Sequence, residues 1–264
     1  MRHIAIAEKE NGSAVTWQDK VSEPDYLAAA VSAGLPATCS RKLPAAKPLA
    51  SETLTDRQRA IPLIAAFMAS SDMARLNGAL NQGLDAGLTV SEAKEILVQL
   101  YAYAGFPKSL NALGELLTVV ERRQQRGISD APGQEPSQAV AIGRDLIAAG
   151  QANQTEISGG PVQGPVFDFA PVINQFLQAH LFGDIFERDN LDWQSRELAT
   201  VGALAALSGV ESQLQSHIAV SMNVGLTAAQ LRHLADVLAE RGQPEAARRT
   251  RASIERQLAA AARR

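Results

Sequence analysis

The sequence predicts an all-α fold built by tandem duplication of one helical unit, and three observations carry this. Hydrophobic residues make up 46% of the 264-residue chain and aromatics only 5%, so Ala and Leu must fill most of the core, a balance that favours helices. Two capping boxes, Thr55-Asp56-Arg57-Gln58 and Thr89-Val90-Ser91-Glu92, each stand before an apolar stretch. Gly87-Leu88-Thr89 recurs as Gly225-Leu226-Thr227, 138 positions on, each triplet closing one helix and capping the next.

Residues 1–50 carry Pro24, Pro36, Pro44 and Pro48 and read as an irregular arm, with regular structure expected only around Asp25 to Ala33. The first capping box opens a helix to about Ala69, which Pro62 should kink. A second helix, about Asp72 to Ala86, ends at Gly87. The second capping box starts a third, with the stripe Ala93, Ile96, Leu97 and Leu100. Gly105 and Pro107 should break the chain before a fourth helix, from about Ser109 to Arg126. Gly127 to Pro136 reads as a linker, and a short helix is expected from about Ser137 to Ala149. The glycines at 158–165 fit neither a P-loop nor a dinucleotide fingerprint and read as a plain loop. Phe169, Val172, Ile173, Phe176, His180 and Leu181 fall on one face of a helix that Gly183 should end, which points His180 inward. Leu191 to Thr227 reads as a helical hairpin turning at Ser208-Gly209, and an Arg- and Ala-rich helix with a solvated face begins at about Pro244.

The duplication is marked by further pairs. Leu54 and Arg59 correspond to Leu191 and Arg196, at a spacing of 137 that a one-residue insertion or deletion reconciles with 138. The domain boundaries that follow are an N-terminal arm over 1–50, a first repeat over 51–127, a linker with a short helix and a Gly/Pro loop over 128–165, and a second repeat with a C-terminal helix over 166–264. The copies diverge in a complementary way. Arg196-Glu197 and His217 of the second match Arg59-Ala60 and Ala79 of the first, whereas Tyr103-Ala104-Gly105-Phe106-Pro107 of the first matches only Glu240-Arg241-Gly242-Gln243-Pro244. One site per chain, lined by both halves, is the expectation.

A net charge of −3 gives no broad basic field, so nucleic acid is not the expected partner. No run of about 18 apolar residues is present to span a bilayer. The segment Leu27 to Cys39 has the outline of a signal peptide but follows Glu23 and Asp25 rather than a basic region, so cytoplasmic residence is expected. A single cysteine, Cys39, allows neither an internal disulfide nor a Cys-rich metal site, and no HxxxH or HExxH pattern occurs.

The chemistry therefore falls to Glu197 and His217. Glu197, Val201 and Leu204 share one helix face, as do Val210, Leu214, His217 and Ser221. About a turn at Ser208-Gly209 the two residues are offset by three positions, roughly 4.5 Å along the helix axes, which a Glu side chain largely covers. Two readings stay open: a pair that satisfies its own hydrogen bonding in a core, or a proton-transfer pair whose pKa values burial and mutual charge bring toward neutrality. His180 is either a satisfied core histidine or a substrate contact. Of the tyrosines at 101 and 103, which face differently, Tyr103 beside the Gly105 break is the candidate pocket residue. Arg196, 100° round the helix from Glu197, is expected to be exposed or at an interface.

The stretch RELATVGALAALSGVESQLQSHIAVSMNVGLT resembles the carboxymuconolactone decarboxylase family, which includes the alkylhydroperoxidase D-like proteins. GLTVSEAKEILVQLYAYAGFPKSLNAL in the first copy resembles it too, and together the matches span 54–125 and 190–242. The resemblance implies a helical unit that forms rings, here a trimer of tandem chains. It also implies a hairpin whose active-site acid and His match Glu197 and His217. Peroxidase members place a Cys-x-x-Cys pair where this chain has Val210 and Gln213, so the thiol nucleophile of that chemistry is missing. Decarboxylase members act on a carboxylated unsaturated lactone from aromatic catabolism and use no metal or organic cofactor. On that pattern His217 donates or relays a proton, Glu197 fixes its tautomer, and His180 or Arg196 meets a substrate carboxylate, with Tyr103 beside them. The expected partner is a small organic acid or lactone. The other readings are a different cofactor-free proton transfer, a non-enzymatic helical binding or assembly module, and a redox protein using Cys39.

Overall fold

The computed structural model describes residues 52–263. The arm over 1–50, its expected helix and Cys39 lie outside the described residues. Among the described residues every regular element is helical, as the sequence predicts.

Helix α1 (Asp56–Ala69) starts at the first capping box: the Thr55 side chain accepts from the Gln58 amide at 3.2 Å, and the Gln58 side chain accepts from the Thr55 amide at 3.0 Å. Pro62 lies inside it and does not end it. Helix α2 (Met73–Asp85) is capped by Asp72 and gives way to Gly87 at φ 92°, a left-handed position that favours glycine. Helix α3 (Val90–Gln99) carries the second capping box. After it comes a single turn, α4 (Tyr101–Ala104), stopped by Gly105 at φ 88°. Helix α5 (Phe106–Gln125) begins three residues before the expected Ser109, because Pro107 sits in its first turn, where a missing N–H costs nothing.

The middle of the chain departs most from expectation. The helix expected at Ser137 to Ala149 is α6, over Gly143–Ser158. Ser137 is instead held by the Asp189 carboxylate, through its amide at 2.8 Å and its hydroxyl. Gly150 lies inside α6 because the Gln178 carbonyl passes so close that a Cβ there would lie 1.7 Å from its oxygen. The single helix expected through Leu181 is three pieces: α7 (Pro165–Phe169), α8 (Pro171–Phe176) and a π-helix (Leu177–Ile185). Pro165 and Pro171 each start a new helix rather than continue one. Gly183 lies within the π-helix and does not end it.

The remaining elements are α9 (Trp193–Ala206), α10 (Glu211–Asn223), α11 (Ala228–Glu240), capped by a Thr227–Gln230 box, and α12 (Pro244–Ala261). The turn between α9 and α10 contains Gly209 at φ 81°. Helices α1 and α9 form the most extensive helix–helix interface and are the centre of the main core. α1 is buried from Ala60 to Ala69 and α9 from Ser195 to Ala205, so both are enclosed all round rather than along one stripe. Helix α2 packs on α1 and on α5, and α10 packs on α9 and on α12. A smaller core of Ile157, Leu181, Phe182, Ile185 and Phe186 joins α6 to the π-helix, with Tyr101, Tyr103, Trp193 and Val220 packed against it. No helix is long and apolar enough to cross a membrane among the described residues.

The α1–α9 crossing depends on Gly202, where an added Cβ would lie 2.5 Å from the Pro62 carbonyl oxygen and 2.6 Å from its Cα. Gly202→Ala is therefore expected to destabilise the fold by about 1–3 kcal/mol in denaturant titration. Gly78→Ala in α2, whose Cβ would meet nothing within 4 Å, should instead raise stability by about 0.4–1 kcal/mol.

Candidate active site

Asp192 caps α9 by accepting from the Ser195 amide at 2.9 Å, and the next turn carries Glu197 into the core, where it is fully buried. Helix α10 returns alongside and brings the His217 ring against it. His217 Nδ1 lies 2.9 Å from Glu197 Oε2, so the side chains close the axial offset expected from the hairpin. The His217 side chain keeps 15% of its surface exposed while the Glu197 side chain keeps none, so the imidazole separates the carboxylate from the exterior. The second carboxylate oxygen, Oε1, has no hydrogen-bond partner.

Tyr103, from α4, meets the His217 ring edge-on with centroids 5.5 Å apart. Burial, reinforced by the charge of Glu197, pushes the Tyr103 phenol far above the usual tyrosine range, so it keeps its proton at neutral and alkaline pH alike. Tyr103 and His217 line a cavity of about 800 Å³ together with Gln213, one turn before His217, the loop at 162–164, and side chains of α6 and the π-helix. The three expected residues Glu197, His217 and Tyr103 thus come together, with Glu197 behind the cavity wall.

The other two do not join them. His180 was expected to point inward, yet its side chain is 48% exposed, its Nδ1 2.6 Å from Asp184 and its ring against Tyr101. The reason is the break at Pro171 and the π-helix winding, which turn that face outward. Phe169 and Phe176 are 91% and 63% exposed. Arg196 was expected at the surface or at substrate, yet it is wholly buried. Its guanidinium donates to Glu95 at 2.9 Å, to Gln99 at 3.0 Å and to the Arg188 carbonyl at 2.8 Å, and its Cζ stands 5.6 Å from the Phe186 ring centre. It lines no part of the cavity.

Glu95, Gln99 and Arg188 escaped the sequence reading. Glu95 accepts from Arg188, Arg196 and Asn190, and Gln99 donates to the Arg196 carbonyl at 2.8 Å. The cluster fixes the first turn of α9 against α3, and with it the residue next to Glu197. Only one local signal existed, a glutamate inside the apolar run of α3. Among the described residues no three His, Cys, Asp or Glu side chains are grouped so as to hold a metal ion.

Residues 171–256 match the family model of the carboxymuconolactone decarboxylase family. The match covers about a third of the chain, and it is this segment that is similar to that family. No curated protein is a significant match to the chain. The matched segment contains Glu197, His217 and His180, whereas Tyr103 and Glu95 lie outside it and reach it by packing.

Burial alone would raise the Glu95 carboxyl, but hydrogen bonds and charge from Arg188 and Arg196 outweigh it and hold the group below its ordinary value of 4.5. A carboxyl lowered by folding adds stability above its unfolded value and loses it as pH falls through the folded one. Stability should therefore decline below about pH 4.5. Glu95→Gln, which leaves Arg196 buried without its counter-charge, should cost about 3–5 kcal/mol at neutral pH. The gap to wild type should narrow in acid, as followed by urea denaturation across pH.

Proposed function

We propose that the cavity is an acid–base active site in which His217 exchanges a proton with a bound carbonyl compound and Glu197 holds the imidazole in the working tautomer. The observation that carries this is the buried Glu197 carboxylate 2.9 Å from Nδ1 of a histidine whose ring lines the cavity. A carboxylate accepting from Nδ1–H leaves Nε2 as the nitrogen free to face substrate, and it stabilises the imidazolium that forms when Nε2 takes a proton. A pair that served only the core would not need its imidazole at a cavity wall.

Two reactions share this step. In a decarboxylation, the bond from carbon to the substrate carboxylate breaks, CO2 leaves, the electron pair enters the conjugated carbonyl, and imidazolium supplies the proton for the new C–H bond. In a proton shift, Nε2 removes a proton next to the carbonyl and returns it to the same or a conjugated carbon. Tyr103, whose phenol keeps its proton, borders His217. Where peroxidase members carry a thiol, Gln213 presents an amide to the cavity, which favours acid–base over thiol chemistry.

The site draws on both halves, and the order of elements supports a tandem duplication. α1, α2, α3 and α5 parallel α9, α10, α11 and α12, with Gly87 and Gly225 at φ 92° and 98° before the matching caps Thr89 and Thr227. On this reading the first repeat keeps Tyr103 and the second keeps the acid and His. Association of copies into a ring would find apolar surface at Phe106, Leu110 and Leu117 on α5.

The test is turnover of carboxymuconolactone and of simple enones and lactones, followed by CO2 release and by solvent deuterium incorporation. His217→Ala should lower kcat/KM by about 10²–10⁴, and Glu197→Gln by about 10² with a changed pH profile. Activity that survives both substitutions unchanged would place the chemistry elsewhere. Binding without turnover in wild type would make the chain a ligand-binding module.

A further inference from the structure

The cavity that holds His217 has an unusual charge content for a site expected to receive an organic acid. None of its lining residues is Asp, Glu, Lys or Arg. Cations on neighbouring elements are held by other groups: Arg249 donates to the Ala205 carbonyl, and Arg256 to Gln215 and Ser253. Arg196 is buried against Glu95, Gln99 and the Arg188 carbonyl, and Arg188 itself pairs with Glu95. His180 sits outside, held by Asp184. The positive end of α10, which contributes Ser212 and Gln213 to the lining, already has an anion: Glu211 accepts from the Gly209 amide at 3.3 Å, and backbone N–H groups hold its carboxyl below the usual range. His217 offers no spare charge either, because as imidazolium it is balanced by Glu197 directly behind it.

The walls tell the same story from the other side. Phe167, Leu177, Leu181, Phe182 and Val220 present hydrocarbon, and the polar lining is neutral amide and hydroxyl. A carboxylate placed against these walls would gain no counter-ion from the lining, which disfavours it relative to a neutral group of the same shape. A volume of about 800 Å³ also suits a mid-sized apolar molecule.

Resting on the acid–base reading of this same site, we infer that the substrate is a neutral, largely apolar carbonyl compound and that the reaction is a proton shift rather than loss of CO2. Nε2 of His217 takes the proton from the carbon beside the carbonyl, and the electron pair of that C–H bond moves onto the carbonyl oxygen as an enolate. The enolate is met by the Gln213 amide N–H group, which donates to no described residue while Gln213 Oε1 accepts from Ser212. The imidazolium then returns the proton to that carbon or to the far end of a conjugated system. Atoms and electrons balance with no co-reactant.

Benzylacetone and hydrocinnamate have the same shape and differ in a methyl ketone against a carboxylate. With the full chain loaded with the neutral fluorophore N-phenyl-1-naphthylamine, benzylacetone should displace the dye at least tenfold more effectively than hydrocinnamate at about pH 8, where the acid is ionised. Gln213→Arg, which puts a cation at the exposed edge of the lining, should erase or reverse that preference. Benzylacetone should also take up deuterium beside its carbonyl in a His217-dependent way. Equal or tighter binding of hydrocinnamate to wild type would overturn the inference, as would failure of the dye to bind. A tenfold neutral preference without His217-dependent exchange would uphold the selectivity and overturn the acid–base reading beneath it.

Discussion

One constraint shapes the rest of the structure: a carboxylate, Glu197, is placed in the buried stretch of helix α9, with the His217 imidazole as its hydrogen-bond partner. Removing a carboxylate from water is costly unless it is hydrogen-bonded, so the position of α10 relative to α9 has to be held to within a hydrogen bond's tolerance. Contacts from three other helices hold α9 itself in place. Gly202 lets α9 lie against the α1 backbone, Arg249 of α12 donates to the Ala205 carbonyl at the end of α9, and Glu95 and Gln99 of α3 grip the start of the same helix.

The same constraint explains why the pair borders a cavity. Glu197 Oε1 is left without a hydrogen-bond partner in the buried interior, and a functional role is one physical reason for such a group to be retained. In the proposed duplication the two copies share one site: the first has Ala60 and Ala79 where the second has Glu197 and His217, but it supplies Tyr103 and the Glu95 clamp. The segment matched over 171–256 packs against Tyr103 and Glu95, which lie outside it.

What could be read from the sequence was what is encoded locally. The capping boxes at Thr55 and Thr89 and the cap at Thr227 act within four residues, and the α9–α10 hairpin follows from spacing and a glycine turn, so their positions and the meeting of Glu197 with His217 were legible. Arg196 was not, because helix periodicity gives its direction relative to Glu197 but not what lies there. Its partners Glu95 and Gln99 are about a hundred residues distant and come from a different helix. His180 was misplaced for a related reason. The apolar residues from Phe169 to Phe176 do fit a helical stripe, but Pro171 restarts the helix and the π-helix changes its winding, so the stripe faces out. The cavity itself, walled by α6, a loop and the π-helix, depends on packing that no single segment specifies.

The most direct test of this account is the nitrogen-15 NMR spectrum of the His217 imidazole in the resting protein at neutral pH. If the buried carboxylate sets the tautomer, Nδ1 carries a proton, and Glu197→Gln releases it to a mixture of tautomers. An Nδ1 without a proton in the wild-type protein would contradict the assignment of Glu197 as the group that orients the imidazole.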